Sequence, residues 1–233
     1  MKENTEILYM EQGTEEWHKA RAGYVTASIV RAACDTYKSG ANKGKLKAEA
    51  DQLAFRLACE RLTGEIMDVG DFNNAYAARG IELEDEARQA YSLRAGFKIV
   101  KEVGIIRSTN SWRAASPDGL VINDKEGEGG LEVKCFLNPQ KMRALVLEND
   151  PAAAGVDEQL QWALGLTGFA FWDLAFYCPQ LKSLGLDLMV HRVYPDPEKV
   201  AAIEEGVERF EARVAEYTDA LKSLSRDKVG LEW

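Results

Sequence analysis

Between residues 98 and 136 the chain carries five short β-forming segments separated by turn residues, and this run limits the fold more than any other feature. The segments are Lys98 to Val100, Val103 to Arg107, Trp112 to Ser116, Leu120 to Ile122 and Leu131 to Phe136. They are too short for stable helices and rich in β-branched residues, as hairpin-linked strands are. Helical periodicity brackets the run. Leu53, Leu57 and Leu62 with Ala54 and Ala58 mark an apolar face that ends at Thr63-Gly64, where Gly64 is placed to be a left-handed cap. A second helix, about Ile81 to Ala95, stops in the same way at Gly96. Helical signals return at Gln140 to Glu148 and Val156 to Leu166, followed by strands at Phe171 to Cys178 and Leu186 to Tyr194. This order predicts an α/β (α+β) fold in which helices flank a central sheet.

The last helix is the clearest local signal. Val200, Ile203, Val207, Phe210, Val214, Tyr217, Leu221 and Leu224 recur in steps of three and four, which predicts an amphipathic helix over about 197–224. Its flanking positions carry no complementary charge code, so its apolar face should pack on the chain's own sheet rather than in a coiled coil. At 233 residues and 46% apolar content the chain can bury a full core without disulfides, and residues 1–233 read as a single domain. No run of 18 apolar residues occurs and the start MKENTEILYMEQG lacks an apolar core, so neither a membrane span nor a secretory leader is expected and a cytoplasmic location is. Cys34, Cys59, Cys135 and Cys178 are dispersed, with no CxxC pair, which argues against zinc and iron–sulfur sites.

Net charge is -9, unfavourable at first sight for a nucleic-acid partner. The distribution of charge points the other way: residues 18 to 48 hold seven Lys or Arg against one acid, a local +6 that leaves -15 elsewhere. A segregated field of this kind guides an anion to one place. Within it, Lys38 to Lys47 reads as a mobile loop. Trp17 and Trp112 read as core aromatics.

The chemistry concentrates between Ser116 and Lys134. Ser116-Pro117-Asp118-Gly119 opens one strand, and a hairpin through DKEGEGG returns as Leu131-Glu132-Val133-Lys134. Strand side chains alternate, so Glu132 and Lys134 share one face while Leu131, Val133 and Cys135 take the other. Paired strands lie ~5 Å apart, close enough for Asp118 and Glu132 to approach one ion. Such a site suits Mg²⁺, which takes one or two carboxylates and completes its shell with water and phosphate oxygens. Lys134 beside it can orient the attacking water or stabilise the transition-state charge. His18 and His191 offer no general-base pair, and Ser28 and Ser116 lack a local His-Asp set, so metal-assisted hydrolysis fits better than a histidine- or serine-driven route.

Asp followed by Glu-x-Lys is the pattern of the PD-(D/E)xK nucleases, and it falls within five segments that agree in order. Gln12-Gly13-Thr14-Glu15-Glu16-Trp17-His18-Lys19-Ala20-Arg21-Ala22-Gly23 with Val25-Thr26-Ala27-Ser28 resembles the N-terminal motif of the phage lambda exonuclease family. Gly80 to Arg88 resembles its Gly-x-x-x-Glu helix, and Ser-Pro-Asp-Gly, Leu-Glu-x-Lys-Cys and the Gln159-Leu160-Gln161 helix follow. The resemblance spans roughly residues 9 to 178. It implies a restriction-endonuclease-like core with a central mixed sheet flanked by helices. It also implies Asp118, Glu132 and the Val133 carbonyl as metal ligands and Lys134 as the catalytic lysine. Glu84 would serve a second Mg²⁺, with Mn²⁺ able to substitute. Gln159 would support Lys134 or the water, although helix phase leaves Gln161 as an alternative. Arg21, Ser28 and Ser116 match a pocket for the 5′-phosphate of a duplex end. The family's strand-separating leucine falls near Ala77, which leaves that task to Tyr76 or another residue, and its partner arginine falls at Lys38.

The implied activity is a Mg²⁺-dependent 5′-to-3′ exonuclease on double-stranded DNA. It would release mononucleotides and leave 3′ overhangs for recombination with a single-strand annealing protein, and act as a ring-shaped homotrimer in the host cytoplasm. The competing readings are a DNA-end-binding factor that does not cut and another PD-(D/E)xK repair nuclease.

Overall fold

The computed structural model describes residues 1–67, 75–94, 96, 100–136, 138, 142–148 and 155–229. The side chains of Tyr76 and Ala77, the start of the Lys98 segment and the Gln140-Lys141 start of a predicted helix lie outside the described residues. In chain order the elements are β1 (Thr5–Leu8), α1 (Glu15–Arg21), β2 (Val25–Thr26), α2 (Val30–Ala33), α3 (Ala48–Thr63) and α4 (Ala75–Arg94). Then come β3 (Val100–Lys101), β4 (Ile105–Ser108), β5 (Arg113–Ala115), β6 (Gly119–Asp124) and β7 (Gly127–Cys135). After them α5 (Asp157–Thr167), β8 (Phe171–Tyr177), β9 (Leu188–Val193) and α6 (Pro197–Val229) complete the fold. The first four elements carry no strong periodicity, and the sequence pattern does not predict them. Of the segment predicted helical from Gln140, the described part includes one π-helical turn, Ala144–Glu148.

The predicted central sheet divides in two. A five-stranded mixed sheet has the order β3-β6-β7-β8-β9, and a smaller one the order β1-β4-β5-β2. β7 and β8 pair in parallel, which requires a long crossover, and α5 lies within it. β8 reads FWDLAFY and is buried along its whole length, the pattern of a central strand covered on both faces. Its residues alternate between two cores. Trp172, Leu174 and Phe176 join α2, α3, α5 and α6 on one side. Phe171, Ala175 and Tyr177 meet Ala87 and Tyr91 of α4 on the other, together with Leu131 and Val133 of β7. The neighbouring strand yields space to these rings: a Cβ on Gly129 or Gly130 would lie within 2.4 Å of Phe171 or Trp172 ring carbons.

Two local expectations change. Residues 38 to 47 form a closed turn, held by the Thr36–Leu46 bridge and the Tyr37 N–H to Lys45 C=O bond at 3.0 Å. Trp112 is 41% exposed and Trp17 half-buried, so neither is a core aromatic. Both rings instead lie against guanidinium groups, Trp17 against Arg21 and Trp112 against Arg61.

Candidate active site

The β6–β7 hairpin sets the centre. The backbone N–H of Asp118 donates to the Leu131 carbonyl at 2.9 Å, and the Val133 N–H donates to Asp118 Oδ2 at 2.7 Å. These bonds hold the Asp118 carboxyl beside the Glu132–Lys134 backbone. Strand alternation sends Leu131, Val133 and Cys135 toward α4 and leaves Glu132 and Lys134 on the α5 side, as the sequence predicts. Glu132 is 5% exposed, and its Oε1 accepts two bonds of 2.7 Å, one from Lys134 Nζ and one from Gln159 Nε2 on the first turn of α5. Helix phase therefore selects Gln159. Gln161 turns away, donating to the Tyr194 carbonyl and accepting from the Asp196 N–H.

A second wall comes from α1, β2 and the residues after β2. Arg21 Nη2 donates to Ser28 Oγ at 3.2 Å and to Thr26 Oγ1 at 3.4 Å, and its guanidinium lies 4.0 Å from the centroid of the Trp17 ring. Among the described residues no carboxylate pairs with it. Burial lowers its pKa to about 10. Ser116 Oγ is buried and has no hydrogen-bond partner among the described residues. Both walls line one cavity of about 200 Å³, whose lining joins Asp118, Glu132, Lys134 and Gln159 with Arg21, Thr26, Ser28 and Ser116. Lys38 stands outside it, on a neighbouring cleft of about 790 Å³ that shares Ser28 and also carries Arg31, Lys47 and Arg209.

Four lining residues, Gln12, Trp17, Thr26 and Ala27, escape the sequence-based reading of the site, although all lie within the N-terminal motif. Gln12 Nε2 donates to the Val103 and Pro117 carbonyls at 3.0 and 2.8 Å, which anchors the peptide before Asp118. Trp17 donates its indole N–H to the Gly104 carbonyl at 2.8 Å and carries Arg21 on its face. Thr26, 4% exposed, ties Arg21 to Ser28.

The electrostatics are those of a crowded anionic site. Burial, followed by the charges of Glu132 and Glu84, pushes the Asp118 carboxyl well above the usual carboxylate range. Glu84 on α4 is also raised, first by burial; Arg88, at 3.8 Å, opposes the shift and Glu132 adds to it. Burial pulls the Lys134 ammonium down, but Glu132, Asp118 and Glu84 together outweigh it and leave the pKa raised. Carboxylates that repel one another across a small cavity present a fit for a hard cation. Asp118 Oδ1 and Glu132 Oε2 accept no hydrogen bond among the described residues, which leaves one oxygen of each for a ligand. No group of three His, Cys, Asp or Glu closes on one point among the described residues. Glu84 is thus an electrostatic neighbour of the pair rather than a third ligand already in place.

The fold is that of the restriction-endonuclease-like class of nucleases. The chain belongs to the family of YqaJ-like viral recombinase domains, whose match covers residues 16–170. No curated protein matches it in sequence. Among solved structures it is similar to an alkaline exonuclease, LHK-Exo, from Laribacter hongkongensis. That match has 31% identity, a TM-score of 0.73 and coverage of 92% of this chain and 99% of the relative, and the same holds for LHK-Exo in complex with dAMP. A phage-related exonuclease from Haemophilus somnus shares the fold at 19% identity, with a TM-score of 0.62 over 86% of this chain and 96% of that one. No helix among the described residues is long and apolar enough to cross a membrane.

Proposed function

We propose that this protein is a Mg²⁺-dependent exonuclease that enters double-stranded DNA at a 5′-phosphorylated end, degrades that strand 5′ to 3′ into mononucleotides and leaves a 3′ overhang for strand annealing. One observation carries the reading: a single cavity joins an acidic pair and lysine to a guanidinium that has no carboxylate partner among the described residues and is lined with hydroxyls. A set of that kind suits a terminal phosphate, because a guanidinium and several O–H donors satisfy a dianion that a lone phosphodiester does not match. The relative's complex with dAMP, a nucleoside monophosphate, is compatible with the release of mononucleotides.

In this reading Arg21, Ser28 and Ser116 hold the terminal phosphate and set the strand so that the next phosphodiester lies over Asp118 and Glu132. These two carboxylates, with the Val133 carbonyl, would hold Mg²⁺ or Mn²⁺, and Glu84 would approach a second ion. The bound ion supplies polarisation of the phosphoryl group and a more acidic water. Lys134 donates toward the water or a non-bridging oxygen and stabilises negative charge as it develops. Gln159 keeps the Glu132 carboxylate oriented through its 2.7 Å bond. Lys38 and the cations of the adjoining cleft attract the duplex as it approaches. A ring-shaped homotrimer in the cytoplasm of a bacterial host, paired with an annealing protein, completes the proposal; light scattering tests the trimer.

Digestion of a linear duplex labelled separately at each 5′ and 3′ end tests the activity. Mononucleotides should leave the 5′-ended strand only, in Mg²⁺, and Lys134→Ala should abolish their release. Loss from the 3′-ended strand, or equal activity in the variant, refutes it.

A further inference from the structure

Gly23 follows the helix that carries Arg21 into the site, and two consecutive residues of α3 hold its backbone. The Glu60 carboxylate, on a residue only 3% exposed, accepts from the Gly23 N–H at 2.8 Å and from the Met67 N–H at 3.1 Å. Arg61 Nε donates to the Gly23 carbonyl at 2.8 Å. The terminal nitrogens of Arg61 form a bidentate pair with Glu211 of α6, both bonds 2.7 Å, and its guanidinium lies 4.8 Å from the Trp112 ring centroid. The Trp112 carbonyl in turn accepts the Val25 N–H at 2.8 Å, where β2 begins. Gly23 has φ +76°, and a Cβ there would meet Arg61 Cγ at 2.5 Å, so only glycine allows the approach.

Such a concentration of charge on one residue's backbone has a physical consequence. Taking a carboxylate and a guanidinium out of water is unfavourable unless each is well bonded, and here the bonds converge on the N–H and C=O of Gly23. They fix that residue in both position and rotation. Arg21 stands two residues before it, Thr26 and Ser28 three and five after it. Helix α1 has seven residues, none of them buried, and apart from the Trp17 indole bond to the Gly104 carbonyl its anchorage is the turn that follows it. The placement of Arg21 against the Ser28 and Thr26 hydroxyls therefore depends on the grip at Gly23.

We infer that Glu60, Arg61 and Glu211 are positioning residues for the terminal-phosphate pocket, and that α6, through Glu211, sets how tightly the pocket discriminates a 5′-phosphate. The inference rests on the proposed role of Arg21. It gives the C-terminal helix, which lies outside the matched residues 16–170, a part in end recognition.

The test compares kcat/KM on two linear duplexes of identical sequence, one 5′-phosphorylated and one 5′-hydroxyl, for the full chain and for Arg21→Ala, Arg61→Lys, Glu211→Gln and Arg21→Ala/Glu211→Gln. Loss of folded protein scales both substrates equally and cancels in their ratio. Arg21→Ala should lower the ratio on the order of 10- to 100-fold, the value of a charge-assisted contact. Glu211→Gln and Arg61→Lys should lower it about 3- to 10-fold, through a higher KM on phosphorylated ends, because a small misplacement of a binding group is enough for that. Added to Arg21→Ala, Glu211→Gln should change the ratio no further, since its effect runs through the missing side chain. If Arg21→Ala lowers the ratio and both Arg61→Lys and Glu211→Gln leave it unchanged, or if the losses multiply in the double variant, the inference is overturned and the phosphate reading stands. A ratio unaltered by Arg21→Ala removes the phosphate reading and this inference with it.

Discussion

Replacing Asp118 by Asn should make the metal-free protein more stable while removing its response to divalent ions. The side chain is isosteric, and its Oδ can still accept the 2.7 Å bond from the Val133 N–H. What disappears is a carboxylate pushed well above its ordinary pKa by burial and by the charges of Glu132 and Glu84. Two like charges on neighbouring strands ~5 Å apart repel by about 3 kcal/mol at an effective dielectric of ~20, and Lys134 offsets part of that, so the relief is about 1–2 kcal/mol. The sign follows from linkage. A carboxyl whose folded pKa is raised destabilises the folded state as pH climbs from the unfolded value through the raised one. The difference between wild type and Asp118→Asn should therefore be absent below the ordinary carboxylate pKa and grow as pH climbs through the raised one. For a domain of this size 1 kcal/mol moves Tm by ~2–4 °C, which predicts a variant about 3–6 °C more stable in EDTA. Mg²⁺ at 100 times its Kd should add ~2.7 kcal/mol to the wild type and nothing to the variant, so the order of the two melting points inverts. Thermal scans in EDTA and in Mg²⁺ or Mn²⁺ read this directly. A variant less stable than wild type in EDTA, or one that Mg²⁺ stabilises as strongly, would refute the argument that these acids form a repulsive cation site.

The same shifts predict that divalent-ion binding weakens as pH falls and that it releases protons. Asp118 and Glu84 hold their protons above the usual carboxylate range, and a bound ion must displace them. Calorimetry at pH ~5.5 in two buffers of different ionisation enthalpy measures the release, and an identical binding heat in both contradicts the shifts. Gln159→Ala should lower kcat by about tenfold or more while retaining Mn²⁺ binding, since it removes one bond to Glu132 and leaves both carboxylates; lost Mn²⁺ stabilisation would show that Gln159 organises the ligands instead. Gly130→Ala should lower stability by about 1–3 kcal/mol, because its Cβ would lie 2.4 Å from Trp172 ring carbons, and an unchanged Tm would contradict that packing.

Much of the architecture follows from local patterns. The α3 helix and its Gly64 cap at φ 73° match the apolar spacing and the glycine that ends it. The β6–β7 hairpin and the facing of Glu132 and Lys134 follow from period two, which no tertiary contact can alter without a register slip. The C-terminal helix matches its periodicity and runs on to Val229. Short elements behave otherwise. β2 is two residues long and pairs in parallel with β5, from far along the chain, so nothing nearby in sequence marks it. The division into two sheets is likewise a matter of which distant strands pair.

The site divides along the same line. Residue type and spacing alone set out the hairpin's two acids and lysine, because they stand on adjacent strands whose geometry is local. Tertiary structure alone decided that Gln159 rather than Gln161 faces Glu132, that Trp17 carries Arg21 instead of filling the core, and that Glu60 and Arg61 grip Gly23. Each of these depends on the phase of one element against another. That relation is fixed only when two apolar faces pack, and a linear sequence does not contain it.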